Sequence, residues 1–194
     1  AETGVTVCVG MAEEADGTVY NSAVVVGGTG PVANFRKLQL YGPAEKARYT
    51  PGDALVVFEF LGFKIGLLIC YDIEFPELFR PLARAGADLV LAPTANMTPF
   101  DNVNRLATSA RAMDHGLSLA YCNYCGVEGN LTYLGRSVIA GPDGDPIALA
   151  GLETTLLIAD IPKAKDFKHR ALSSYLEDQR EITKLTDGTS TLRS

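Results

Sequence analysis

The chain is 194 residues long, 47% hydrophobic and 21% charged, with 19 glycines, 10 prolines and no tryptophan, the make-up of a single globular domain over residues 1–194. Disorder, collagen and disulfide-stapled mini-proteins are excluded, because a chain of this size buries enough surface to build its own core. Lys and Arg number 17 against 23 Asp and Glu, a net charge of −6, which disfavours nucleic acid and anionic membrane as partners.

The first residues, Ala1-Glu2-Thr3-Gly4, carry neither an initiator Met nor the basic and apolar pattern of a secretory signal, so an upstream part is expected to have been removed. Residues 5–9 and 20–26 read as two strands joined by the polar turn Glu13-Glu14-Ala15-Asp16-Gly17, with Glu13 and Glu14 expected in solvent. Gly28-Thr29-Gly30-Pro31-Val32-Ala33 matches a loose dinucleotide fingerprint. The short extended run 35–40 leaves no room for the crossover helix that fingerprint needs, so a hairpin turn is expected. A second hairpin spans 55–60 and 64–69 around Leu61-Gly62. Glu59 and Lys64 break the apolar stretch 54–70, which therefore cannot be a membrane span.

Cys70 ends the second strand of that hairpin just before a helix, the placement that lifts a nucleophile above the end of a sheet. A thiol there feels a helix N-terminus, which favours thiolate. The alternative is a buried strand cysteine, which the negative charge of Asp72 and Glu74 favours. The helix that follows starts at Pro76, carries Leu78, Leu82 and Ala85 in register and stops at Gly86. Residues 88–92 form a strand. Asp101 caps a helix with the apolar stripe Val103, Leu106, Ala107, Ala110 and Met113, closed by Gly116.

His115, in the last turn of that helix, reads as a cation complementing the helix dipole, and His169 as an exposed residue, so a Cys-His site has weak support. Further strands are expected at 117–123, 135–140, 147–149 and 156–160, with a turn at Gly141-Pro142-Asp143-Gly144 and a short polar helix in 173–180. Cys122-Asn123-Tyr124-Cys125 lacks a second ligand pair, which disfavours zinc. These two thiols and Cys8 are expected in the core or at strand ends, reduced, in a cytoplasmic protein. Serine-hydrolase, Walker and zinc-protease motifs do not occur in the sequence.

The run from Lys64 through Cys70-Tyr71-Asp72-Ile73-Glu74-Phe75-Pro76-Glu77, continuing to Arg80, Gly86-Ala87-Asp88 and Ala92-Pro93, resembles the nucleophile segment of the nitrilase, or carbon-nitrogen hydrolase, superfamily. Tyr20-Asn21-Ser22, Phe35-Arg36-Lys37-Leu38-Gln39-Leu40, Glu45 and Pro51-Gly52-Asp53 are similar to that family's blocks in the same order. Arg111-Ala112-Met113, Asn123, Gly126, Gly135-Arg136-Ser137 and Pro142-Asp143-Gly144 continue the likeness over nearly the whole chain.

The resemblance implies an α/β fold, the four-layer αββα sandwich of the nitrilase type, with the first strand and helix missing from this chain. It implies a homodimer or higher homo-oligomer, with no metal and no cofactor. By motif, Cys70 takes the place of the nucleophile, Lys37 that of the lysine holding the tetrahedral oxyanion, and Glu45 that of an orienting glutamate. The backbone N–H of Tyr71 is the second oxyanion donor. In an alternating strand Phe35, Lys37 and Gln39 share one side, which would turn Lys37 to the pocket. The family's general-base glutamate lies upstream of the segment present, and Glu2, Glu13 and Glu14 do not sit in its motif.

The implied reaction is hydrolysis of a small carboxamide to a carboxylic acid and ammonia through a cysteine thioester. A nitrilase, an N-carbamoyl amidohydrolase, a glutaminase, or a non-catalytic subunit or interaction module without the base are the alternatives.

Overall fold

The computed structural model describes residues 3–167, 172 and 174–180. The N-terminal hairpin forms as the turn chemistry predicts. β1 (Val7–Ala15) and β2 (Thr18–Gly27) pair antiparallel around Asp16-Gly17, both at positive φ (52° and 74°), a backbone that matches the twist of the flanking strands. Both strands run further into the turn than the apolar pattern suggests, so Glu13 lies within β1 opposite Tyr20. β3 (Gly30–Arg36) returns along β2 after a second tight turn at Gly28-Thr29, the hairpin expected in place of a dinucleotide loop. Alternation sends Ala23, Val25 and Phe35 to the buried inner face, while Val7, Val9 and Met11 lie exposed on the outer one.

A short helix, α1 (Gly42–Arg48), follows. β4 (Val57–Phe60) and β5 (Phe63–Leu67) form the second hairpin. Then come α2 (Pro76–Arg84), β6 (Leu89–Thr94), α3 (Thr108–His115) and β7 (Ser118–Asn123). The chain continues through β8 (Cys125–Glu128), β9 (Leu131–Leu134), β10 (Val138–Ala140) and β11 (Pro146–Leu149).

Six of these strands make one sheet in the order β11-β10-β7-β6-β5-β4, parallel at its centre where α2 and α3 connect β5 to β6 and β6 to β7. Ala23, Val25 and Phe35 of the small sheet join Leu67, Val90, Leu119 and Tyr121 of the large one in a single core. On the other face, Leu82 of α2 packs so closely on Gly66 that a Cβ there would stand 3.1 Å from a Leu82 methyl. The described residues thus build three layers of an α/β sandwich: small sheet, large sheet, helices. Among them no helix is long and apolar enough to cross a membrane.

Several expectations need correction. The helix beginning at Asp101 passes through a π turn, Val103–Ala107, before α3. That wider turn shifts the phase of the faces, so Leu106 and Met113 are exposed and Asn104, Thr108 and Ala112 face the core. No strand forms over 156–160, and Leu156 and Ile158 are exposed. Cys122 is exposed rather than buried, while Cys8 and Cys125 are partly buried; all four cysteines are free. His115 is buried against Phe79 and its Nδ1 meets the Arg111 carbonyl oxygen at 2.9 Å. Burial lowers its pKa, so it is a packed neutral ring and not the dipole-complementing cation expected. The helix in the polar tail is α4 (Tyr175–Asp178). Glu2 and His169 lie outside the described residues.

Candidate active site

After β5, Leu68 continues alongside β6 through a hydrogen bond to the Leu91 carbonyl, and the strand ends abruptly at Cys70. This residue has φ of 48°, a left-handed backbone that costs a non-glycine residue about 1–3 kcal/mol and persists only where the surroundings enforce it. It opens a tight 3-10 turn, Cys70–Glu74, that leads into α2. Arg111 of α3 holds the far end of that turn, its guanidinium donating to the carbonyl oxygens of Ile73 and Glu74 at 3.1 Å each. The Arg111 block therefore supports the turn that starts at Cys70 from another helix.

The backbone N–H groups of Ala95 and Tyr71 and the Lys37 ammonium favour the ionised form of the Cys70 thiol. Burial nevertheless outweighs these influences and raises the thiol above its ordinary pKa, helped by the Glu45 carboxylate. The thiolate expected from the helix N-terminus is thus not the resting state. The Tyr71 N–H acts on the thiol together with that of Ala95, which follows the end of β6 and was not foreseen.

Lys37 comes immediately after β3 ends at Arg36 and is 3% exposed. Strand alternation alone does not fix it, since the ladder has stopped; two backbone bonds do. Its N–H donates to Asn21 O at 2.8 Å and its carbonyl accepts from Gly52 N at 2.8 Å. Gly52 sits so tightly against Arg36 that a Cβ would lie 2.4 Å from the Arg36 carbonyl oxygen, which explains the glycine at the centre of Pro51-Gly52-Asp53.

The Lys37 ammonium reaches both oxygens of Glu45 on α1, at 2.9 and 2.8 Å. Asn21 Nδ2 donates to the same carboxylate at 2.6 Å and Tyr41 N–H donates to its other oxygen. Both oxygens of the Glu45 carboxylate are thus engaged, each by Lys37 and one further donor. Cys70, Lys37, Glu45 and Tyr71 are thus brought to one place from chain segments 33 and 8 residues apart, the separations of Cys70 and Glu45 from Lys37. The rings of Tyr41, Tyr71, Phe75 and Phe100 form an edge-to-face series at 5.0–5.9 Å beside them.

Glu13 is elsewhere. It is not solvated but bound on the outer face of the small sheet by Arg36 at 2.6 Å, Asn34 at 2.9 Å and the Ser22 hydroxyl, while Glu14 is exposed. Behind the site, three buried asparagines fix the loops. Asn96 Nδ2 donates to Asn104 Oδ1 at 2.6 Å, and Asn104 and Asn123 both donate to Gly135 O at 3.0 and 2.7 Å. Among the described residues no three His, Cys, Asp or Glu side chains converge as a metal-ligand set would require.

This arrangement has counterparts. Residues 1–165 match the protein family described as carbon-nitrogen hydrolase. A hydrolase of Pseudomonas protegens is 45% identical over 85% of this chain and 59% of its own length. An (R)-stereoselective amidase of a Pseudomonas species is 35% identical over 91% of this chain and 64% of its own. Among solved structures, a cysteine-to-alanine mutant of the Nesterenkonia AN1 amidase, from the nitrilase superfamily, superposes with a TM-score of 0.83 at 37% identity over 92% of this chain and 66% of that one. Another structure of that amidase, with a TM-score of 0.82 and covering the same shares of the two chains, shows covalent addition of the acetamide moiety of fluoroacetamide at its active-site cysteine. The chain spans about six tenths of the length of the two curated relatives. The likeness covers most of the chain and its fold, and the chain belongs to the carbon-nitrogen hydrolase family, on the α/β fold of the nitrilase superfamily.

Proposed function

We propose that this chain carries the nucleophile and oxyanion site of an amidase that converts a small carboxamide to a carboxylic acid and ammonia. The observation that supports this most is the buried Lys37, paired with Glu45, beside a cysteine held at positive φ. An amide carbonyl is a poor electrophile, so it needs a strong nucleophile and charge placed in advance where the oxyanion develops.

In this reading Cys70 loses its proton as sulfur attacks the carbonyl carbon. The C–S bond forms while the carbonyl π electrons move to oxygen, where the Lys37 ammonium and the Tyr71 N–H stabilise the negative charge. Collapse breaks the C–N bond; the nitrogen takes up a proton and leaves as ammonia, with a thioester on Cys70. Water then attacks that thioester, releasing the acid and restoring the thiol. The first attack must shed the thiol proton and the second a proton of the water, so both need a base. No residue of this chain is assigned to that step, since Glu45 is fully engaged and Glu13 faces away.

The test is ammonia release by the intact protein from a panel of aliphatic amides, nitriles and carbamoyl amino acids, with Cys70→Ala alongside. Turnover of amides that disappears in Cys70→Ala is the expected result. Turnover of nitriles or carbamoyl compounds alone would replace the substrate class, and no turnover of any compound would favour a non-catalytic module.

A further inference from the structure

Asp72 is fully buried two residues after the nucleophile, yet the reaction as described leaves it without a part. Its Oδ2 accepts from Ile69 N–H at 3.0 Å, while its own N–H donates to the Ile69 carbonyl at 3.0 Å. Those two bonds close the 3-10 turn that starts at Cys70, and a purely local capping role would need nothing more. Its other oxygen does something a cap does not require. Oδ1 accepts from Gln39 N–H at 2.7 Å, across 33 residues of chain. Leu38 and Gln39 directly follow Lys37, whose β-ladder has already ended. One carboxylate therefore joins the segment carrying the ammonium to the turn carrying the thiol.

We infer that Asp72 is a positioning residue, whose carboxylate spans from Ile69 N–H to Gln39 N–H and so holds Lys37 and Cys70 facing a common point. The inference rests on the roles of Cys70 and Lys37 proposed above. It assigns Asp72 no contact with substrate. A carboxylate suits the position because it presents two acceptor oxygens to converging N–H groups, which an amide, with one acceptor and one donor end, cannot do.

The experiment compares the intact parent protein with Asp72→Asn and Asp72→Ser. The serine hydroxyl can keep the local bond to Ile69 but is too short to span to Gln39, so it separates the bridge from the cap if the asparagine folds poorly. Both variants are expected to lose about a hundredfold in kcat with KM little changed, the usual consequence of misplacing reacting groups by an ångström or so. In a Lys37→Met background the same substitutions should cost nothing further, because residues acting through one another are not additive.

A second readout needs no turnover: the pH midpoint for alkylation of Cys70 by iodoacetamide. Lys37 favours the thiolate and Glu45 opposes it. A Lys37 segment released from its tether should move the midpoint upward, as Lys37→Met should also do, whereas merely deleting a nearby negative charge would move it downward. A parent-like kcat in folded Asp72→Ser, a downward or unchanged midpoint, or costs that add to those of Lys37→Met would each overturn the assignment. If the parent releases no ammonia while the midpoint still rises, the amidase reading fails and the positioning role stands.

Discussion

Arg36 and Lys37 are consecutive, and each pairs with a glutamate, but the two ion pairs occupy opposite faces of the small sheet. Arg36 meets Glu13 on the outer face, at 2.6 Å with 36% of the arginine side chain exposed, and its guanidinium lies 3.8 Å from the Tyr20 ring centroid. Lys37 meets Glu45 on the inner side, at 2.8 Å with 3% of the lysine side chain exposed. The two carboxylates are about equally covered, so the pairs differ in their cations: the Arg36 guanidinium is screened by water, and the outer pair contributes little. The inner ammonium sits where the surroundings respond weakly, so its field reaches whatever charge develops beside Cys70. A glutamate partner therefore says little about function by itself; burial and what else the pair faces decide it.

The sharpest way to break this contrast is Lys37→Met. Removing one oxyanion donor should lower the acylation rate on the order of a hundredfold or more. It also strands a partly buried carboxylate, so a stability loss of roughly 1–3 kcal/mol is expected, moderated because Asn21 and Tyr41 still donate to Glu45. Adding Glu45→Gln should return most of that stability and none of the rate. Arginine is no substitute, since its planar fork cannot place one point charge where the ammonium sits. Single-turnover acylation and denaturant melts check both halves, and acylation of Cys70 at the parent rate would remove Lys37 from the site.

The two faces also differ in how much of them the sequence revealed. Both hairpins, α2 with its Pro76 start and Gly86 stop, and the strand-to-turn placement of Cys70 are written in local chemistry, which acts over a few residues. Glu45 and Lys37 were reached only through resemblance, because a lysine after a strand and a glutamate on a seven-residue helix carry no local signal of burial. Glu13 went unrecognised for the same reason: its partners, Ser22, Asn34 and Arg36, come from two other strands. The β8–β9 hairpin was legible and missed, since Gly129-Asn130 stands between its paired ends, Glu128 and Leu131. The π turn has no such signature in the apolar stripe, and Asn104, which it turns inward, is satisfied by partners far off in sequence, the Asn96 side chain and the Gly135 carbonyl.

Gly52→Ala sharpens the comparison from the backbone side, because Gly52 touches both cations. Its missing Cβ makes room for Arg36, and its N–H binds the Lys37 carbonyl. A methyl there has to displace backbone, which should cost about 1–3 kcal/mol. The displacement is expected to reach turnover through Lys37, lowering kcat by roughly tenfold, and not through Arg36. Combining Gly52→Ala with Lys37→Met tests the route: the rate loss from the glycine should vanish in the double variant while its stability loss remains.

The smallest effect is expected on the outer face. Hydrogen bonding to Arg36, aided by Ser22 and Asn34, holds the Glu13 carboxyl down at about 2, below its ordinary value of 4.5. A carboxyl depressed on folding contributes stability that is full above its unfolded pKa and disappears as the pH falls through the folded one. Glu13→Gln should therefore lower the melting temperature at pH 7 by no more than about 2 °C, since an ion pair whose arginine is 36% exposed is worth little. The difference should shrink steadily below pH 4.5 and be gone near pH 2. Turnover should stay at the parent value throughout the range where both proteins are folded. A rate loss resembling that of Lys37→Met would mean that the two faces communicate through the Arg36-Lys37 backbone and that burial alone does not separate their roles.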